Sequence, residues 1–245
     1  MSAPRGGPGH PGSASGLPGA LEVAFLLDGT EHCELLLVRH GQQDFPDMRV
    51  SGVEGMIDPP LSGVGERQAE RVGARFAATR VDAVYASPLV RAHRTGQAIA
   101  GHHGLTVALR DDLREIEVYR DLPQDRPLLE VLGRERLLGY REQMLRHMRW
   151  DVYPGTEGSH EFRRRVTAVI DGIAASHQGQ RVAVACHGGV INAYLADILA
   201  NPVDMFFRPA HTAVSVVRAA IGGRRAIESI GDTSHLTGAE GLVTY

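Results

Sequence analysis

The stretch Glu34-Leu35-Leu36-Leu37-Val38-Arg39-His40-Gly41 decides the fold. Its apolar residues, Leu35 to Val38, are too few for a helix, and Gly41 closes the segment soon after. So short a run reads as a strand buried on both faces, the kind found in parallel sheets. Arg39 and His40 are the first polar side chains beyond it. Open α/β sheets hold ligands beyond the carboxyl ends of their strands, so a guanidinium and an imidazole stand where a ligand is expected. The pattern recurs at Val182-Ala183-Val184-Ala185-Cys186, followed by His187-Gly188-Gly189. Two buried strands thus each end in a histidine followed by glycine.

Around these strands the chain alternates between short apolar runs and amphipathic stretches. Residues 21–28 suit an extra edge strand, and 82–86, 105–109, 213–217 and 226–230 read as further strands. Ser62 reads as the N-cap of a helix over 64–79, where Val64, Val72, Phe76 and Ala77 recur at helical spacing. Ser87-Pro88 opens a second helix, with Pro88 suited to its first turn. Arg91 then falls in that turn, at the same sheet edge as His40. Residues 161–176 and 189–200 carry two more helices. Strands alternating with helices predict a three-layer α/β/α sandwich around a mainly parallel sheet.

Two segments break the alternation. Residues 42–60 form a loop long enough to be functional, and it leaves directly from the His40 end of the sheet. Residues 116–158 are punctuated by Pro123, Pro127 and Pro154 and carry one helix over 133–149. They are expected to form an inserted helical cap over the sheet edge. Residues 1–20 are rich in Gly, Pro, Ser and Ala and lack the apolar core of a secretory signal. They are expected to be a disordered tail, with residues 21–245 as a single domain.

Composition narrows the chemistry. A net charge of −3 gives no reason to expect nucleic acid or an anionic membrane as partner. No run approaches the ~18 apolar residues of a membrane span. All 26 basic residues are Arg. Lysine Schiff bases are therefore excluded, and anions must be met by forked guanidiniums. The two cysteines, Cys33 and Cys186, suit a reduced, cytoplasmic chain. Cys186 and His187 are neighbours on a strand, so their side chains diverge, which argues against a Cys-His nucleophile pair.

Arg39, His40, Arg91 and His187 gather at one sheet edge, with Glu115 nearby. Two arginines make a permanently cationic cradle. Helix starts after His40-Gly41 and at Gly188-Gly189 are expected to add backbone N–H donors. A dianionic tetrahedral oxyanion fits such a cradle, phosphate first. An imidazole beside two arginines favours its neutral form, which is a competent nucleophile. Glu115 is the candidate donor of a proton to the leaving alkoxide, and later the base that activates water. Arg39, Arg91 and His187 would meet the charge of the transition state. This chemistry calls for no metal and no cofactor.

The motifs LLLVRHG at 35–41, DPPLSGVGERQAE at 58–70, YASPLVRAHRTGQAIA at 85–100, LREI at 113–116 and ACHGGVINAYLA at 185–196 occur in this order. Through them the chain resembles the histidine phosphatase superfamily, the phosphoglycerate-mutase-like enzymes, over most of its length from Glu34 onward. The resemblance implies that His40 accepts the phosphoryl group, that Arg39, Arg91 and His187 form the phosphate pocket, and that Glu115 is the proton donor. Glu117 is its rival, two residues on. The chain departs from the mutase branch. Mutases carry Glu-Ser-x-x-Asn after Arg-His-Gly, whereas residues 42–45 here are Gln-Gln-Asp-Phe. IEVYRDLPQD at 116–125 lacks the Gly-rich, basic segment that grips a second phosphate. The Gly-Glu-Ser block before the helix that follows the cap is replaced by Glu157-Gly158-Ser159-His160-Glu161.

These features imply a metal-independent phosphomonoester hydrolase. A mutase-type phosphotransferase and a non-catalytic phospho-ligand scaffold are the alternatives. The expected partner is a small phosphorylated metabolite, with a phosphoprotein as second choice; a homodimer is compatible with the sequence. Gly188, Gln43 and His211 are further candidates for contact with phosphate. His93, His102 and His103 fit no zinc spacing and read as a solvated helix face. Arg163-Arg164-Arg165 likewise reads as an exposed face.

Overall fold

A computed structural model describes residues 31–238 and 240–245. The expected tail and the run at 21–28 lie outside the described residues. The elements are β1 (His32–Arg39), α1 (Val53–Ile57), α2 (Gly63–Phe76), β2 (Ala83–Ala86), α3 (Val90–Gly101), β3 (Val107–Leu109), α4 (Leu128–His147), α5 (Ser159–Ser176), β4 (Arg181–Cys186), α6 (Gly188–Ile198), β5 (Val214–Ala220) and β6 (Arg225–Asp232).

The sheet has the order β3-β2-β4-β1-β5-β6. β1 to β4 are mutually parallel, while β5 and β6 are antiparallel additions. β1 shows why both faces must be covered. Its side chains alternate in direction, and Leu35, Leu36, Leu37 and Val38 are all buried. Leu35 and Leu37 share a cluster with Phe162, Val166 and Ile170 of α5 and Val190, Ile191 and Tyr194 of α6. Leu36 and Val38 share the opposite cluster with Val72 and Phe76 of α2 and Ile99 of α3. This is the expected three-layer sandwich.

The antiparallel pair has a local cause. Residues 199–213 carry the chain back to the carboxyl edge without forming a strand. β5 must then run down the sheet against β1. Gly222 and Gly223 both have positive φ (91° and 83°), which a tight hairpin requires, and they return the chain as β6.

Several boundaries differ from expectation. Ser62 does cap α2, its Oγ accepting from the Gly65 N–H at 3.1 Å. α3, however, starts at Val90, two residues beyond Pro88. Its first N–H is met by Asp58 Oδ1 from the preceding loop, at 2.8 Å, rather than by a local cap. Arg91 stays in the first turn. No helix follows His40-Gly41. The Gln42 N–H donates to Gln68 Oε1 and its carbonyl accepts from the Ser62 N–H, so the backbone here is committed to α2. The loop's only regular piece is α1. In the cap, Gly133 interrupts α4 (φ 74°, ψ 156°) instead of starting it.

Candidate active site

Register builds the site. β1 and β4 pair so that Arg39 lies opposite Cys186. The His40 N–H then donates to the Cys186 carbonyl at 2.9 Å, and the next residue of each strand is the histidine pair. The rings of His40 and His187 stand 5.1 Å apart between centroids. β2 brings a third strand end to the same edge: Ser87 Oγ pairs with His187 Nε2 at 2.8 Å. Because β5 is antiparallel, its beginning lies where the parallel strands finish. The Thr212 N–H donates to the His40 carbonyl, and the His211 ring comes within 5.8 Å of His40. His211 is therefore at the site.

Hydrogen bonds settle the tautomer of His40. Its Nδ1 lies 2.7 Å from the Gly41 carbonyl, which can only accept, so Nδ1 carries the proton. Nε2 keeps its lone pair and accepts from Arg91 Nε at 3.3 Å. Burial drives the His40 pKa well below the ordinary histidine value, and His187, Arg91 and Arg39 push it further down. The expected neutral imidazole is present, with burial rather than the arginines as its main cause. His187 is neutral for the same reason, so it offers an N–H and not an imidazolium. Its Nδ1 is buried with no hydrogen-bond partner among the described residues. His211 is held down at about 3 by burial and by Arg39.

The arginines sit at different depths of the same network. Arg39 donates to the Pro209 carbonyl at 2.6 Å. Burial lowers its pKa to about 10, which leaves it cationic at neutral pH. Arg91 also donates to the Ile57 carbonyl at 3.0 Å and lies 3.6 Å from Asp58. Thr95, one turn along α3, accepts from the Gly41 N–H and donates to the Arg91 carbonyl. It thereby ties the His40 loop to the Arg91 helix.

Glu115 is partly buried, at the inner end of a cavity. Its Oε2 accepts from the Gly189 N–H at 2.9 Å and its Oε1 from the Ile116 N–H at 3.1 Å. Burial raises its pKa, against the opposing pull of these N–H groups and of Arg91 and Arg39. Glu117 instead pairs with Arg114 at 3.0 Å and is half-exposed. The N–H of Gly189 is thus committed to Glu115 rather than offered to an anion. A Cβ at Gly189 would run into the Glu115 carboxylate, so this glycine allows the approach. A Cβ at Gly188 would meet only ordinary contacts, with Pro209 and Arg39. Gln43 lies on the rim, its Oε1 buried and unpartnered among the described residues. It lines a cavity of about 250 Å³ that runs from Arg91 and Glu115 into the cap.

Arg164 is on an exposed face, but its neighbours are not. Arg163 binds Asp204, and Arg165 binds Glu157 and the carbonyls of Asp112 and Arg114. Arg163 reaches the segment that follows α6, and Arg165 reaches the segment before Glu115, so Arg165 buttresses the chain beside Glu115. Cys186 is buried and its thiol pKa raised, as befits a packing residue. Among the described residues, no group of His, Cys, Asp and Glu is placed to hold a metal ion. No helix among them is long and apolar enough to cross a membrane.

Ser87, Thr95 and Gln68 were not among the sequence candidates. Thr95 lies one turn from Arg91 on the same helix face. Gln68 is a polar residue between Val64 and Val72 on the buried face of α2, and it is fully buried. Its Nε2 donates to the Leu242 carbonyl and to Thr244 Oγ1, while Thr244 Oγ1 also meets His211 Nδ1. A polar residue interrupting an apolar stripe was the available signal.

The model of the histidine phosphatase superfamily (branch 1) matches residues 35–233. Phosphoglycerate mutase-like protein 4 of Arabidopsis thaliana is 31% identical over 220 residues, covering 88% of this chain and 92% of its own. Among solved structures, YhfR of Bacillus stearothermophilus superposes with a TM-score of 0.67 at 24% identity, covering 83% of this chain and 99% of its own. A mycobacterial glucosyl-3-phosphoglycerate phosphatase superposes with a TM-score of 0.66 at 21% identity, covering 82% and 99%.

Proposed function

Since the chain belongs to the histidine phosphatase superfamily, we propose that it is a metal-independent phosphomonoester hydrolase working through a phosphohistidine on His40. The observation that carries this reading is the state of His40: a buried, neutral imidazole whose Nδ1–H is spent on Gly41 and whose Nε2 lone pair faces the guanidinium of Arg91.

In the first step Nε2 of His40 attacks phosphorus and the ester P–O bond breaks. The departing alkoxide takes the proton of the Glu115 carboxyl, whose raised pKa keeps it available. In the second step the Glu115 carboxylate takes a proton from water, whose oxygen attacks the phosphohistidine. The P–N bond breaks, inorganic phosphate leaves and His40 is restored. Arg39, Arg91 and the N–H of His187 meet the charge on the phosphoryl oxygens throughout. Two fixed guanidiniums supply the neutralising charge.

The test is phosphate release from p-nitrophenyl phosphate and a panel of metabolite phosphomonoesters in EDTA. Wild type is expected to turn over and His40→Ala to fall to background. Activity retained by His40→Ala would overturn the reading. The name of the Arabidopsis relative favours a second reading, phosphoryl transfer within a phosphoglycerate. Isomerisation outrunning phosphate release would establish that instead.

A further inference from the structure

The cavity beside Arg91 and Glu115 lies between α1, the 114–119 segment and the start of α4, and its walls are unlike the cradle. Val53, Leu89, Ile116 and Leu128 are buried around it, and Met56 and Ile57 complete the apolar wall. Behind them Val53, Leu128 and Leu132 form a cluster of their own with Tyr119, Leu122, Leu137 and Tyr140. Its two guanidiniums, among the described residues, are both engaged. Arg91 serves His40 and Ile57, and Arg114 is paired with Glu117. Glu117 is neutralised by Arg114, and Glu115 enters the reaction as a protonated acid. A second anionic group on a substrate would find no available cation here.

Tyr119 marks the cavity as built rather than incidental. It has a φ of 65°, rare for a bulky residue. The conformation is held by its N–H to the Pro154 carbonyl at 2.8 Å, and by Leu122 N–H and Gln124 Nε2, both donating to its carbonyl. Its ring packs edge-on against Tyr153 at 5.7 Å. Strain fixed so firmly is characteristic of ligand clamps. Gln43 Oε1, buried and without a partner among the described residues, offers one hydrogen-bond acceptor in the lining.

We infer that this cavity receives the alcohol portion of the substrate, and that the protein selects phosphomonoesters of small apolar alcohols over esters carrying a second anion. The inference rests on the phosphatase reading for the placement of phosphate at His40. The volume, about 250 Å³, is below the roughly 300–1,000 Å³ of most ligand pockets, which keeps the alcohol small.

The test uses n-alkylphosphonates, which have no ester bond to hydrolyse, titrated calorimetrically into the full chain. Affinity is expected to rise about fourfold per methylene from methyl to butyl, the value of a buried CH₂. Met56→Gln, a neutral polar substitution at a half-buried wall position, should flatten the series, with methylphosphonate losing least. A flat wild-type series, a slope that Met56→Gln leaves intact, or tighter binding of a carboxyalkylphosphonate of equal length would each overturn the assignment. The two readings fail separately. A rising series in a protein that hydrolyses no ester removes the phosphatase reading and keeps the cavity; turnover with a flat series does the reverse.

Discussion

At the carboxyl edge of the sheet, position is set by backbone register; in the cap, it is set by side-chain packing. Arg39 is aligned with Cys186 by the β1–β4 ladder, and the two histidines that follow stand together with no freedom to slide. A shift of one residue would turn Leu35 and Leu37 from one helical layer to the other. Tyr119, Leu122 and Tyr140 pack on Val53, Leu128 and Leu132, around a helix broken at Gly133, and short-range hydrogen bonds fix Tyr119 in addition. The comparison separates two jobs. An edge defined by register suits a reaction that needs fixed geometry, while packed side chains can be exchanged to suit a different alcohol.

Perturbing the edge should give the largest effects. Glu115→Gln is expected to lower hydrolysis of alkyl phosphates by ~10²–10⁴-fold. In kcat/KM, which reports the steps up to phosphohistidine formation, p-nitrophenyl phosphate should suffer less, because its leaving group needs no proton. Equal losses on both substrates would remove Glu115 from the donor role. The sign of the pH dependence follows from burial. Burial raises the pKa of Glu115, so wild-type kcat/KM on alkyl phosphates falls as pH climbs through that raised value. The Glu115→Gln profile should lack this limb.

Gly189→Ala comes next. The added Cβ would strike the Glu115 carboxylate, and a displacement near 1 Å can cost up to ~10²-fold. The expected signature is again loss on poor leaving groups with p-nitrophenyl phosphate spared. Equal activity with the wild type would mean that the carboxylate tolerates movement.

Paired core truncations then test whether edge and cap differ as described. Leu35→Ala opens a cavity between β1, α5 and α6 and should cost about 2–5 kcal/mol of global stability in denaturant unfolding. Leu132→Ala, in the cap cluster, should cost less and raise KM more than it lowers kcat. Equal global costs would join the cap to the main core.

The last expected effect is confined to acid. His211 titrates near 6.5 when unfolded and about 3 when folded. Between these values the unfolded chain binds a proton that the folded one refuses, so stability falls as pH drops through that window. His211→Gln should reduce the slope measured by urea unfolding at stepped pH.

Arg39, His40 and His187 were legible because each directly follows a run of buried apolar residues, and Arg91 because it opens a helix after such a run. Glu115 was legible through its motif, whereas its link to Gly189 needed the folded backbone. His211 could be read only as a candidate, since its place depends on β5 running antiparallel, which local pattern does not reveal. The start of α3 was misplaced because its cap, Asp58, is remote in sequence. Arg163 and Arg165 were misread because their partners, Asp204 and Glu157, lie on other segments. The cap resisted reading for the same reason. Its order comes from contacts between distant aromatic and apolar side chains rather than from any periodic pattern.

The central claim is that Nε2 of His40 becomes covalently bonded to phosphorus. The most direct measurement mixes the protein with p-nitrophenyl phosphate, quenches in alkali on the millisecond scale and locates the phosphoryl group by mass spectrometry. The account predicts one phosphoryl group on His40, stable to base and labile to acid, absent from His40→Ala and longer-lived in Glu115→Gln. Turnover by the wild type with no phosphoryl group on His40 in the Glu115→Gln protein, or with phosphate on another residue, would contradict it.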